Sequence, residues 1–150
     1  AQREATRDVL TGLYNRRYLE EKLRSLHQEF LQKNAPFSVI LLDIDHFKRI
    51  NDTHGHTVGD GVLEFIGAML KGMVKGRDVP ARYGGEEFAI LLPETELENA
   101  LKTAERIRAA VEGHDFAGPE GVGLQLNVSL VWGLWTALTP IPLLGLTFTF

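Results

Sequence analysis

The chain has 150 residues, 44% of them hydrophobic and 24% charged, which is enough for one domain with a proper core and too few for two. The absence of cysteine excludes disulfide frameworks and thiolate zinc sites and fits a reducing compartment. A net charge of -4 argues against a general nucleic-acid binder but leaves room for a polyanionic small ligand carried by divalent cations.

No secretory signal opens the chain, and a start at Ala1 followed by a polar stretch predicts a piece of a longer protein. Asn15 is the expected N-cap of a helix over 16–33, because Leu19, Leu23, Leu26 and Phe30 recur on one face; Asn34-Ala35-Pro36 ends it. Phe37 to Asp45 predicts a strand buried on both faces and closing in Asp43-Ile44-Asp45. A polar loop rich in Asn, Asp, His and Gly is expected next, then a helix over 59–74 with Val62, Phe65, Ile66, Met69 and Met73 in one stripe. Val79 to Tyr83 and Glu86 to Leu92 predict a hairpin, with Gly84-Gly85 supplying the positive φ angles of a two-residue turn. Thr95 and Glu98 form an expected capping box for a helix that carries Leu101, Ala104, Ile107 and Val111 inward and stops at Gly113. Residues 125 to 130 predict a last strand. The order α, β, α, β, β, α, β over 1–130 predicts an α+β domain, a mixed sheet flanked by helices in the split βαβ, ferredoxin-like arrangement.

From Gly121 to Phe150 there is no charged residue. A membrane span fits the apolar character, but Pro140 and Pro142 interrupt it and no basic residues flank it. The alternatives are a core strand with a sticky tail, or a stretch foreign to the domain. The composition favours a strand through about Leu130 and then a foreign or aberrant apolar tail, 131–150.

Chemistry concentrates in three places. Adjacent carboxylates on Glu86 and Glu87, at the rim of apolar strands, are costly to hold together unless a cation neutralises them. Asp43 and Asp45 are expected on one side of their strand end, a spacing that suits a solvated end as well as a metal site. A second carboxylate pair, Glu86-Glu87, on a hairpin able to lie beside this strand, tilts it toward Mg²⁺ or Mn²⁺, which take hard oxygen ligands. The stretch Asn51 to Asp60 reads as a solvated, capped connection or as a nucleobase pocket, since Asn and Asp pair well with a purine edge. His54 and His56 flank a glycine but lack a cysteine or a third clear ligand for zinc. Neither a P-loop nor a Rossmann glycine motif occurs.

Four ordered segments, Asp8-Val9-Leu10-Thr11-Gly12-Leu13-Tyr14-Asn15-Arg16-Arg17, Asp43-Ile44-Asp45-His46-Phe47-Lys48, Asn51 to Asp60, and Arg82-Tyr83-Gly84-Gly85-Glu86-Glu87-Phe88, together resemble the GGDEF-domain diguanylate cyclases. The resemblance implies a palm-like fold related to nucleotidyl cyclases and polymerase palms. It implies condensation of two GTP into cyclic di-GMP with release of two pyrophosphates, using two Mg²⁺ or Mn²⁺ per active site. By the same resemblance, Asp43 and the Ile44 carbonyl hold metal, Glu86 or Glu87 completes the coordination, and Glu86 helps deprotonate the attacking 3′-hydroxyl. Asn51 and Asp60 bind guanine, His56 contacts the nucleoside, and Lys48 with the backbone N–H groups of His46 and Phe47 faces the phosphates. Gly84 and Gly85 let the nucleotide lie over the turn.

The implied partners are GTP, a second GGDEF domain in a facing homodimer and an upstream sensory domain, with neither nucleic acid nor membrane as a partner of this domain. The implied location is cytoplasmic, including for a membrane-anchored full-length protein. Two departures stand out. The family's Arg-x-x-Asp product-inhibition motif reads Lys75-Gly76-Arg77-Asp78, and lysine lacks arginine's bidentate fork, so Lys75 and Asp78 form a degenerate inhibitory site. After Asn127-Val128-Ser129 the family's glycine-containing strand end, its next helix and its phosphate-contacting lysine and arginine do not follow. The alternative is therefore a regulatory module that binds GTP and metal without turnover.

Overall fold

The structure is a computed structural model and describes residues 5–114, 123–132 and 147–149. Asn15 caps α1 (Arg16–Lys33), its side-chain oxygen accepting from the Tyr18 N–H at 3.0 Å; Asn34, left-handed at φ 53°, ends it. The α1 stripe of Leu19, Leu23, Leu26 and Phe30 packs with Phe37, Val39, Ala89 and Leu91 on one face of the sheet.

β1 (Phe37–Ile44) is the central strand, between β3 (Glu87–Pro93) and β4 (Leu126–Trp132), with β2 (Val79–Arg82) beyond β3 and β5 (Thr147–Thr149) beyond β4. Its even-numbered residues Ile40, Leu42 and Ile44 face a second core layer with α3 (His56–Met73) and α4 (Leu97–Glu112), while Phe37 and Val39 face α1. β3 lies between β1 and β2, so the split βαβ arrangement is present. Every pairing of these strands is antiparallel, and the expected mixing of directions shrinks to one parallel bridge, Tyr14 to Ala81. The physical reason is that β3 separates the two strands joined by the helical crossover.

The polar stretch expected as a loop is helical instead. It forms α2 (Phe47–His54) and the first turn of α3, with Gly55, at φ 90°, between them. Its Asn, Asp and His residues are weak helix formers, but burial of Ile50 and packing of Phe47 on the core override that propensity. In α3 the buried stripe runs through Val62, Leu63, Ile66 and Leu70, leaving Phe65, Met69 and Met73 on its flank. The capping box at Thr95 does not form: Glu96 is the N-cap of α4, and the Thr95 hydroxyl donates to the Pro93 carbonyl at 2.9 Å. Thr95 is further tied because its carbonyl accepts from the buried Ser38 hydroxyl at 2.8 Å. Gly113 stops α4 as expected.

β4 reaches Trp132, past the expected end near Leu130, and Thr147–Thr149 pairs with residues 129–131. Within the 131–150 stretch, residues 133–146 and 150 lie outside the described residues. No helix among the described residues is long and apolar enough to cross a membrane.

Candidate active site

Asp43 lies in register with Glu87 on β3 and with Asn127 on β4, so three polar side chains form a row on one face of the sheet end. One residue on, the Ile44 N–H donates to the Glu86 carbonyl at 3.2 Å and ties β1 to the turn before β3. Asp43 Oδ1 is buried and has no hydrogen-bond partner. Burial, then repulsion from Glu87 and Asp45, pushes the Asp43 carboxyl up from its ordinary range. Burial, then repulsion from Asp43 and Glu87, does the same to Glu86. A buried orphan oxygen among carboxylates that repel one another has the chemistry of a cation site. No group of three His, Asp or Glu side chains among the described residues converges as a metal cluster. A divalent ion here would therefore draw on Asp43, Glu86 or Glu87, the Ile44 carbonyl and oxygens of a bound ligand, as Mg²⁺ does with phosphates. Asp45 lies past the strand end, its N–H donating to the Gln125 carbonyl at 2.8 Å, and it lines a different cavity with His46 and Arg49.

The turn between β2 and β3 is not the expected two-residue hairpin. Tyr83 N–H and Gly84 N–H both donate to the Glu87 carbonyl, at 2.8 and 3.2 Å, so residues 83–86 make the connection. Neither Gly84 nor Gly85 has positive φ; among the described residues the glycines that do are Gly12, Gly55 and Gly76. The longer loop reverses the chain without left-handed residues, and the pair matters for space instead. A Cβ on Gly84 would stand 2.7 Å from Glu87 Oε2, whereas a Cβ on Gly85 would meet nothing within 4 Å. Gly85 is exposed on a groove of about 460 Å³ that it lines with Phe47, Asp60, Arg82, Glu86 and Glu87.

Arg82 holds this turn from below. Its Nε donates to the Gly84 carbonyl at 3.2 Å, its Nη2 to the Gly85 carbonyl at 2.9 Å, and its Nη1 to Asp8 Oδ1 at 3.3 Å. Asp8 in turn accepts from the Thr11 N–H at 2.9 Å and the Thr11 hydroxyl at 2.7 Å. Although burial pushes the Asp8 carboxyl up, those two hydrogen bonds and the Arg82 guanidinium hold it below its usual range. Asp8 and Arg82 stood in the motifs without a role. The Asp-x-x-Thr spacing signals a local side-chain turn, but nothing in the sequence pairs Asp8 with a residue so distant along the chain.

His46, left-handed at φ 54°, precedes α2 and gives it no side-chain cap, so the first-turn N–H groups stay available to a ligand. Phe47 and Asp60 reach the groove. Asn51 stands one turn beyond Phe47 on α2, its Oδ1 buried and also without a partner. Lys48 and His56 are exposed and do not line the groove. Lys75 and Asp78 lie apart, in the turn after α3, where the Lys75 N–H donates to Asp78 Oδ2 at 3.2 Å. The neighbouring Arg77 pairs with Glu94 at 3.1 Å and Glu29 at 3.6 Å. The larger cavity of about 640 Å³, lined by Asp45, His46, Arg49 and His54 among others, includes none of Asp43, Glu86 and Glu87.

A family model described as "Diguanylate cyclase, GGDEF domain" matches residues 5–138. The chain is 46% identical over 130 residues to the response regulator PleD of Caulobacter vibrioides, covering 87% of this chain and 28% of PleD. It is 39% identical over 127 residues to the diguanylate cyclase DosC of Escherichia coli, covering 85% of this chain and 28% of DosC. The chain thus spans less than a third of either relative. The GGDEF domain of DgcB from Caulobacter crescentus, solved in complex with c-di-GMP, superposes with a TM-score of 0.83 at 30% identity, covering 89% of this chain and 80% of that one.

Proposed function

We propose, for a chain that belongs to the GGDEF family of diguanylate cyclase domains, that its groove holds one GTP over the Gly84-Gly85 turn and that two facing copies make cyclic di-GMP. The observation that carries this reading is the orphaned Asp43 oxygen beside Glu86 and Glu87, at the sheet end where α2 presents uncapped N–H groups. In each copy the 3′-hydroxyl of one GTP attacks the α-phosphorus of the other and pyrophosphate leaves; two such displacements close the ring. Glu86 accepts the hydroxyl proton, a role that geometry allows because it lines the groove. The N–H groups of His46 and Phe47 stabilise charge developing on the phosphates, and Lys48, exposed in the first turn of α2 outside the groove, meets them only where the triphosphate extends past the groove rim. Asn51 and Asp60 read the guanine edge, and His56, exposed outside the groove at the start of α3, contacts the part of the nucleoside that stands clear of it.

Asp43, the Ile44 carbonyl, and Glu86 or Glu87 would hold Mg²⁺ or Mn²⁺, two per site. When bound, such ions neutralise the triphosphate and polarise the reacting phosphorus. A single copy binds GTP without cyclising it, so a second copy and an upstream sensory domain that brings the two together complete the function. Its substrate places the domain in the cytoplasm, whether or not the longer protein is anchored to a membrane. Feedback by product is weak, because Lys75 lacks the arginine fork and Arg77 is turned toward Glu94 and Glu29.

One observation favours a second reading, a module that binds GTP and metal without turnover: no charged residue occurs between Gly121 and Phe150 to grip phosphates. Incubation of the chain with GTP and Mg²⁺, followed by chromatography of the nucleotides, decides between them against a Glu86→Ala control. Cyclic di-GMP from the parent alone supports the cyclase, with Glu86→Ala slower by about 10²-fold or more. Because a single copy does not cyclise, the assay uses two tethered copies or a concentration that populates the dimer; retained GTP without product there supports the module, and failure to bind GTP overturns both readings.

A further inference from the structure

Gly59 is buried in the first turn of α3, directly over the Asn51 side chain of α2. A Cβ built on Gly59 would come within 1.8 Å of Asn51 Oδ1 and 2.9 Å of Asn51 Cγ, with Phe47 Cζ at 3.4 Å. No side chain fits there while the Asn51 amide stays in place. The same Asn51 oxygen is buried and accepts no hydrogen bond. An unpartnered buried acceptor carries a penalty. By contrast, Gly72, near the other end of α3, has open space where its Cβ would be.

We propose that Gly59 is a positioning residue for base selection: its missing side chain forms the notch that seats the Asn51 amide, and any Cβ there expels the amide from the purine edge. This rests on the nucleotide reading above and goes beyond it by assigning selectivity to a residue that touches no base. With its oxygen packed against Gly59, the seated amide leaves its NH2 group to the base, and that group donates to an acceptor such as guanine O6. Adenine presents an amino donor at that position, so discrimination is lost when the amide moves.

The test measures binding of 3′-deoxyGTP and 3′-deoxyATP with Mg²⁺ to the full chain, since nucleotides lacking the attacking hydroxyl cannot cyclise. Gly59→Ala is expected to weaken 3′-deoxyGTP binding by about tenfold or more and to lower its preference over 3′-deoxyATP by a similar factor. Gly72→Ala should match the parent. In an Asn51→Ala background Gly59→Ala should add little, because the amide it displaces is already gone. Gly59→Ala that keeps the parent's affinity and preference, or that weakens binding equally with and without Asn51, overturns the proposal. If Gly59→Ala alone fails to fold, folding of the Asn51→Ala/Gly59→Ala pair supports the notch, and failure of the pair overturns it. A parent that binds neither nucleotide, or Asn51→Ala binding 3′-deoxyGTP like the parent, overturns the underlying nucleotide reading instead.

Discussion

Asp43 is held at the end of a central strand whose neighbours on both sides also put polar groups beside it. Its carboxyl is raised, so the fold favours the protonated form. Its ionisation costs stability in full above the raised value, and that cost declines as the pH falls through it and is gone below the ordinary aspartate value of about 3.9. Asp43→Asn should therefore raise the melting temperature of the metal-free chain at pH 7, while abolishing any stabilisation by Mg²⁺ with GTP. Melts with EDTA and with Mg²⁺-GTP check both directions, and a lower metal-free melting point would contradict the argument. At Gly85 a side chain meets open space, so Gly85→Asp should leave the melting point within a few degrees of the parent yet cut turnover by about 10²-fold or more, by keeping the nucleotide off the turn. A fully active Gly85→Asp would sink the proposed nucleotide pose.

At the scale of the element, the signature turn depends on a segment far away in the chain. Arg82 grips two turn carbonyls and Asp8, and its guanidinium geometry suits all three contacts at once in a way that an ammonium does not. Arg82→Ala should cost about 1.5–3 kcal/mol, read from urea unfolding, since charged hydrogen bonds of this kind are lost together. Arg82→Lys should recover little of it. Asp8 adds a pH dependence of opposite sign to that of Asp43. Its lowered carboxyl contributes stability that is fully present above the ordinary aspartate value of about 3.9 and is lost as the pH falls through its lowered value. Asp8→Asn should flatten the acid limb of the stability profile; an unchanged limb would argue that the Asp8–Arg82 clasp is too solvated to matter.

At the scale of the molecule, the groove opens to solvent along the face that carries Gly85 and Asp60, both exposed. On the proposed reading, in which each copy holds one nucleotide in such an open half-site, the reaction takes two copies. Initial rates of cyclic di-GMP formation should accordingly rise with the square of chain concentration until the dimer is populated, and tethering two copies should remove that dependence. Rates in simple proportion to concentration from the lowest protein levels upward would contradict a facing dimer.

Much of this is legible in the sequence because it rests on local chemistry. The Asn15 cap and the Leu19, Leu23, Leu26 and Phe30 stripe marked α1, the apolar run from Phe37 marked the central strand, and Gly113 marked the end of α4. The carboxylates were visible as residues that packing alone does not explain. What the tertiary structure decided are the outcomes in which distant groups compete with local preference. Burial of Ile50 turned a polar loop into α2, and Thr95 abandoned its capping box for Ser38 and Pro93. The Tyr83 and Gly84 hydrogen bonds widened the turn, so its glycines serve close approach and not left-handed geometry. Which side chains carry charge, and in what order they come, is written in the chain. Only the fold decided which of them stand together, because Asp43 with Glu87, Asp8 with Arg82 and Asn51 with Gly59 are neighbours through packing, and no local periodicity encodes that.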